Sequence, residues 1–333
     1  MASRPAGDED FDRKVTYCDR EYQEHSLRHE IYLVPIDSEE ETRLLEQHEM
    51  LKLIYNDWNN GLYAPIVGDP EFILDCGFGT GTWAYDMAEY DPNCMVTAID
   101  ICPLLAPSDQ LENIDFQIAN LNHRLDCAEA ETFDLINSRF VASGISATRW
   151  PNYLRDMHRL LRSGGWVQMT EWDLFFRSDS GNSDALQALH EWSRLYTEAL
   201  GSSTRPEGRK RSRVVQDCEA WMRMAGFVNV STDVRDVPTC AWPQGAHSCS
   251  ASVWPHRIDR QLDTTDAHNR DIGEANLTNM KGLIHSLGLY PVTSRHLREI
   301  EDFHDLIEAA YAELSDVGAK PYIRLHTIFG MKR

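Results

Sequence analysis

The stretch "EFILDCGFGTGTWAYDMAEYDPNCMVTAID", Glu71 to Asp100, decides the fold. "EFILDC" is short, apolar and bounded by turn residues, as a buried strand is. "TWAYDMAEY" has helical spacing, and "MVTAID" is again a strand that ends in an acid. Between the first strand and the helix, three glycines alternate with other residues: Gly77, Gly79 and Gly81. Glycine allows positive φ and lets a ligand approach the backbone closely. A strand, glycine turn and helix followed by a second strand is the unit that binds nucleotide-like ligands at the strand ends of a doubly wound sheet.

The turn departs from the dinucleotide fingerprint G-x-G-x-x-G, because its glycines fall at positions one, three and five. It is also preceded by Asp75. A carboxylate beside a pyrophosphate is repelled, whereas one near an ammonium or a sulfonium is attracted. Asp100, with Ile101 beside it, ends the second strand where an acid accepts ribose hydroxyls. Asn120 ends "IDFQIAN", where an amide can bond adenine. Any one glycine is ordinary in a turn, and an isolated acid is ordinary on a surface. In register, however, these positions describe a site for S-adenosylmethionine.

Outward from this unit the alternation continues. "TFDLINSRF" and "WVQMTEWDL" read as strands, and "WPNYLRDMHRLLRSGG" as an amphipathic helix ended by glycine. Strands alternating with helices imply a parallel sheet with helices on both faces. "DSEEETRLLEQHEMLKLIYNDW" (Asp37–Trp58) reads as a helix capped by Ser38. "SDALQALHEWSRLYTEALG" and "SRVVQDCEAWMRMAGF" read as further helices, with two more at about 272–287 and 294–315. Residues 1–15 read as loose, and 241–270 as an aperiodic loop. The organisation expected is an N-terminal arm, 1–36, and one domain, 37–333, with 241–290 as a lid or insert.

At this point the sequence resembles a family, the class I S-adenosylmethionine methyltransferases, and within them the fungal LaeA-like group. The resemblance rests on "EIYLVPIDSEEETRLLEQHEML", "ILDCGFGTGTWAYDMAEYDP", "VTAIDICPLLAP", "FDLINSRFVASGISATRWPNYLRDMHRLLRSGGWVQMTEWDL", "AGFVNV" and "YIRLHTIFGMKR". The family usually has glycine or threonine where Phe78 stands, and aspartate where Asn120 stands. The resemblance implies a Rossmann-like sheet of seven strands whose last strand is antiparallel, with "VNVSTDVRDVP" and "YIRLHTIFGMKR" as the late pair and with helical additions at both termini. It also implies one of two roles. One is methylation of a small-molecule acceptor in fungal secondary metabolism, and the other is nuclear regulation bound to a velvet-type partner.

The candidate cofactor residues are Asp75, Gly77, Gly79, Gly81, Asp100, Ile101, Asn120 and Asn137. Arg139 and Glu171 are candidates for catalysis at the floor of an acceptor pocket, as an anchor for a substrate carboxylate and as a base, with Asp173 an alternative base. Ser138 lies beside Arg139 at the same strand end. Trp58, Trp172 and Trp242 are candidates for an acceptor pocket, with Trp254 and Tyr55 nearby. His25, His247, His256 and His326 are further possible bases. The basic run "RPEGRKRSR" reads as a solvated loop or a nuclear localisation signal.

The formal net charge of -21 argues against direct nucleic-acid binding and against anionic membranes. The eight cysteines show no metal-binding spacing, so reduced thiols and no metal are expected. The N-terminus shows no apolar signal segment, so a cytoplasmic location is expected, or a nuclear one for a regulator.

Overall fold

A computed structural model of the protein describes residues 11–55, 64–66, 68–108, 111–242 and 266–333. The chain enters through a hairpin, β1 (Lys14–Tyr17) and β2 (Arg20–Gln23), a short helix α1 (Glu24–Arg28) and the long helix α2 (Ser38–Ile54). The hairpin replaces part of what reads as a loose arm. It is tied inward by Arg20, which forks onto Asp37 at 2.7 and 2.8 Å, and by Gln23, which donates to Ile101 O. Asp37, not Ser38, caps α2, and its carboxylate accepts from Glu40 N. Both residues are able to cap, and the arginine brought by the hairpin accompanies the aspartate.

Next come β3 (Phe72–Cys76), α3 (Thr82–Tyr90), β4 (Met95–Asp100), β5 (Ile114–Ile118), β6 (Phe133–Arg139), α4 (Trp150–Leu160) and β7 (Leu161–Ser178). Then follow α5 (Gln187–Gly201), α6 (Val215–Ala225), β8 (Val228–Pro238), α7 (Asp266–Ser294), α8 (Ile300–Leu314) and β9 (Pro321–Met331). The sheet order is β5-β4-β3-β6-β7-β9-β8. Neighbours from β5 to β7 are parallel, and β9 runs antiparallel to both β7 and β8. This is the Rossmann-like seven-stranded sheet with a reversed last strand.

Helix α4 ends at Leu160, earlier than its glycines suggest. Gly164 and Gly165 lie near the start of β7, where the register with β6 shifts. Gly164 has φ +82°, and a Cβ on Gly165 would stand 3.0 Å from Asp134 O. These glycines serve a strand bulge, not a helix end.

Helices α4 and α6 cover one face, packing Trp150, Tyr153, Met157 and Met222 onto Leu74, Ile136 and Val167. Helix α3 covers the other, with Trp83 and Met87 on Ile73, Val96 and Leu135. A third core gathers α2, α5, α7 and α8 around Met50, Trp192, Tyr196, Ile284 and Phe303, against Leu325 of β9. In the expected lid, 241–290, residues 243–265 lie outside the described residues. From Asp266 the segment is helix α7, whose Ile272, Met280, Leu283 and Ile284 are buried core. Helix α7 also runs on through the break expected after 287.

Candidate active site

The parallel strands all end at the same rim, and two cavities open there. The glycine turn is made by three left-handed residues, Gly77, Gly79 and Gly81, at φ +79°, +57° and +75°. A Cβ on Gly79 would meet only Leu44 Cδ1, at 3.8 Å, so bare backbone faces the first cavity. That cavity encloses about 960 Å³, counting its open mouth. Gly77, Phe78, Gly79, Asp100, Ile101 and Asn120 line it, and so does Arg139.

Asp100 is held by two backbone donors, Gly79 N at 3.0 Å and Cys102 N at 2.9 Å. Each of its oxygens keeps acceptor capacity for a ligand. Burial pushes its carboxyl above the usual range, and the backbone donors oppose that shift. Asn120 turns its oxygen to Asn122, accepting from the backbone N at 2.9 Å and from Nδ2 at 3.2 Å.

Asp75 and Asn137 do not line this cavity. They support it from below. Asp75, Asn137 and Gln168 stand side by side on β3, β6 and β7. Asn137 Nδ2 donates to Asp75 at 2.8 Å, Gln168 Nε2 donates to Asn137 at 3.0 Å, and Ala64 N donates to Gln168 at 3.0 Å. The ladder satisfies buried polar groups that would otherwise be costly. Burial still lifts the Asp75 carboxyl to about 6, against the pull of Arg139 above it. Gly81 likewise supports the cavity, as the N-cap of α3 pressed against Pro107 and Phe116.

The second cavity, of about 570 Å³ counted the same way, adjoins the first. Tyr32, Leu44, Gln47 and Phe140 line both. Glu171 and Trp172 lie in its wall with Arg43, Tyr196 and Leu283. Glu171 Oε1 accepts from Val141 N at 2.8 Å and Ala142 N at 3.1 Å. Burial nevertheless raises this carboxyl to about 8, where it exchanges a proton near neutral pH. Trp172 stacks on Phe140 at 5.7 Å, and its buried indole N–H has no partner among the described residues.

Other expected residues stand elsewhere. Trp242 is buried away from both cavities, donating to Pro321 O at 2.9 Å. Tyr55 packs in the third core, with Arg235 4.4 Å over its ring. Asp173 is paired with Arg177 and Arg213, both at 2.6 Å. Burial works to raise it, yet the arginines hold it below the usual carboxylate range, unsuited to a base. Ser138 bonds Tyr153 inside the core. His25 and His326 line neither cavity, while Trp58, Trp254, His247 and His256 lie outside the described residues.

Sequence reasoning missed His48 and Asp86. His48 lines the first cavity from α2, and its Nε2 lies 2.9 Å from Asp86 on α3. The only sequence signal was a histidine in the inward spacing of α2. Nothing local marks Asp86 as its partner. Among the described residues, no group of three or more His, Cys, Asp or Glu is placed to hold a metal.

Residues 73–165 match a family described as "Methyltransferase domain". The chain is 28% identical over 244 residues to the secondary metabolism regulator laeA of Aspergillus fumisynnematus, covering 73% of this chain and 62% of that one. It is 27% identical over 231 residues to the protein-methionine methyltransferase laeA of Emericella nidulans, covering 69% of this chain and 59% of that one. The chain thus spans about three fifths of the length of these relatives. A solved structure of a putative sarcosine dimethylglycine methyltransferase from Galdieria sulphuraria is similar with a TM-score of 0.45 at 12% identity, over 91% of this chain and 93% of that one.

Proposed function

We propose that this chain, which carries a methyltransferase-domain match and is similar to the laeA proteins, is an S-adenosylmethionine-dependent methyltransferase that transfers a methyl group to a small molecule seated in the second cavity. The observation that carries this reading is the wall that the two cavities share, Tyr32, Leu44, Gln47 and Phe140. It sets one ligand against another while apolar groups exclude water.

The residues of the first cavity fit the cofactor. Bare backbone at Gly79 admits its amino-acid end. Asp100 meets the ribose hydroxyls, with the spare acceptor capacity described above. Asn120, whose oxygen is engaged by Asn122, offers its NH₂ to a ring nitrogen of adenine. Phe78, Ile101 and Leu121 supply apolar walls for the base. When bound, the cofactor supplies an activated methyl group on a positively charged sulfur, so positioning accounts for much of the rate. Glu171 receives the acceptor's proton on Oε2, because Oε1 is held by two backbone donors. Trp172 N–H is a donor available to the acceptor's polar edge.

A regulator acting through a protein partner is the second reading, favoured by the names of the relatives. The basic run does not favour it. Lys210 is buried and donates to Glu30 O at 2.7 Å, Arg213 pairs with Asp173, and Arg211 pairs with Asp217. Burial lowers the Lys210 ammonium to about 8. Lys210 and Arg213 are thus built into the fold, while Arg205, Arg209 and Arg211 are exposed. No described helix is long and apolar enough to cross a membrane, and a cytoplasmic site of action goes with the small-molecule reading.

The test incubates the full chain with S-adenosylmethionine labelled on its methyl group and with a fungal extract, then separates small molecules from protein. Label in a small molecule, lost with Glu171→Gln, supports the first reading. Label confined to protein overturns it in favour of the second.

A further inference from the structure

Arg139 ends β6 and lines the first cavity but not the second. An anion bound by its guanidinium therefore belongs to the molecule in the first cavity, not to the acceptor. Among the described residues, Arg139 has no carboxylate within ion-pair distance. Its hydrogen bonds are two long contacts of 3.4 Å, from both terminal nitrogens to Nδ1 of His48. A cation on a cavity wall without a carboxylate partner, with most of its five donors unspent, suits a carboxylate that arrives with a ligand.

The contact also fixes the state of His48. Arginine only donates, so Nδ1 accepts and carries no proton. Nε2 then bears the proton and donates to Asp86 at 2.9 Å. Asp86 is oriented in turn by Lys52 at 3.0 Å, which also meets Glu49 at 2.9 Å. Among the described residues, the charged and titratable groups facing this pair include Asp86 from α3, Lys52 and Glu49 from α2, and Arg139 from β6. Asp75 lies beneath Arg139. Burial, assisted by Arg139, lowers the His48 pKa against the pull of Asp86, which keeps the ring neutral at pH about 7.

We propose that Arg139 is the site for the α-carboxylate of the cofactor's amino-acid end, and that the Asp86–His48 pair is the device that aims it. The proposal rests on the reading of the first cavity given above. His48 is a positioning residue here: it touches the guanidinium and not the reacting atoms. Protonation of Nδ1 removes the acceptor and sets a second positive charge beside Arg139, so the aim is lost as pH falls.

Two probes separate the parts of the site. S-adenosylhomocysteine carries the carboxylate, and 5′-methylthioadenosine shares its nucleoside but lacks the amino-acid end. Calorimetry on the full chain should show Arg139→Met weakening S-adenosylhomocysteine about tenfold or more, while 5′-methylthioadenosine stays within about twofold. Arg139→Lys should recover part of the loss. His48→Phe should move the same ligand in the same direction by about threefold. In the unsubstituted protein the preference for S-adenosylhomocysteine should hold at neutral pH and shrink as pH falls below the ordinary histidine value of about 6.5, because burial lowers the His48 pKa, and Arg139→Met should abolish that trend. Unchanged S-adenosylhomocysteine affinity in Arg139→Met, or equal weakening of both probes, overturns the assignment. If the unsubstituted protein binds neither probe, the cofactor reading itself falls and this assignment with it.

Discussion

A methyl group on Gly77 would stand 2.5 Å from Cγ1 of Val141. The turn after β3 thus rests directly on the loop after β6, and the same Val141 gives its N–H to Glu171. Backbone that faces one cavity is seated on backbone that holds the carboxyl of the other. Gly77→Ala meets both this overlap and a left-handed φ of +79°. It should lose about 1–2 kcal/mol for the backbone and about 1–3 kcal/mol for overpacking. Gly79→Ala meets the backbone cost alone, since its nearest neighbour is 3.8 Å away. Thermal unfolding of the pair should show the larger loss at Gly77, and calorimetry should show cofactor affinity reduced in both.

Asp100→Ala should weaken S-adenosylhomocysteine and 5′-methylthioadenosine alike, by about tenfold or more, because both carry the ribose. It also leaves the N–H groups of Gly79 and Cys102 without their acceptor. Asp100→Asn keeps one oxygen for them and should retain more stability. Loss of only one of the two probes would place Asp100 away from the ribose.

In its proposed role as the base, Glu171 makes methyl transfer and folding respond to pH in opposite senses. With its carboxyl raised to about 8, the fraction able to take a proton grows as pH rises toward that value, and the initial rate should grow with it. Stability should move the other way. Between its ordinary value and about 8, the folded state holds a proton that the unfolded state has released, so raising pH favours unfolding, by at most about 1.36 kcal/mol per pH unit. Glu171→Gln keeps an oxygen for Val141 and Ala142. Its melting temperature should gain on that of the unsubstituted protein as pH rises across this window, while its rate loses the pH dependence. Parallel pH profiles for the two proteins would remove Glu171 from catalysis.

Gly282 of α7 lies against Arg43, where a Cβ would stand 2.9 Å from Cδ of that side chain. Arg43 reaches Glu40 at 2.6 Å, Gln47 at 3.0 Å and Asn279 at 2.9 Å, all buried. Gly282→Val should dislodge the guanidinium and strand the Glu40 charge, at a cost of about 3–5 kcal/mol. Chemical denaturation should read this loss. A change within about 0.5 kcal/mol would mean that Arg43 keeps its partners by another path.

How much of this was legible in the sequence follows from how local each feature is. The strand, glycine turn, helix and second strand around Gly77–Gly81 were readable because strand and helix periods and the glycines' conformations are set within a few residues. Asp100 and Asn120 were readable as strand ends. Asp75 read as a ligand contact because its partners Asn137 and Gln168 come from strands brought together only by the β3-β6-β7 order. His48 and Asp86 are 38 positions apart, and only the packing of α2 on α3 makes them a pair. Trp242 read as a pocket wall because a tryptophan in a loop is costly to expose, yet its indole found a carbonyl of β9 instead. Gly164–Gly165 stopped a helix in the reading because glycine ends helices more often than it opens strands.

The common wall of the two cavities has a consequence for descent and for engineering. The proposed acceptor side draws on side chains of α5 and α7, namely Tyr196, Leu283 and Leu287, none of which touches the first cavity. Selection for a new acceptor can rewrite those positions while the nucleoside half stays constant. Tyr32, Leu44, Gln47 and Phe140 are the exception, because a change there alters two ligands at once. Divergence among copies of such a chain should therefore concentrate in the helical cap and spare these four, and a library built to redirect acceptor choice is best confined to the same ground.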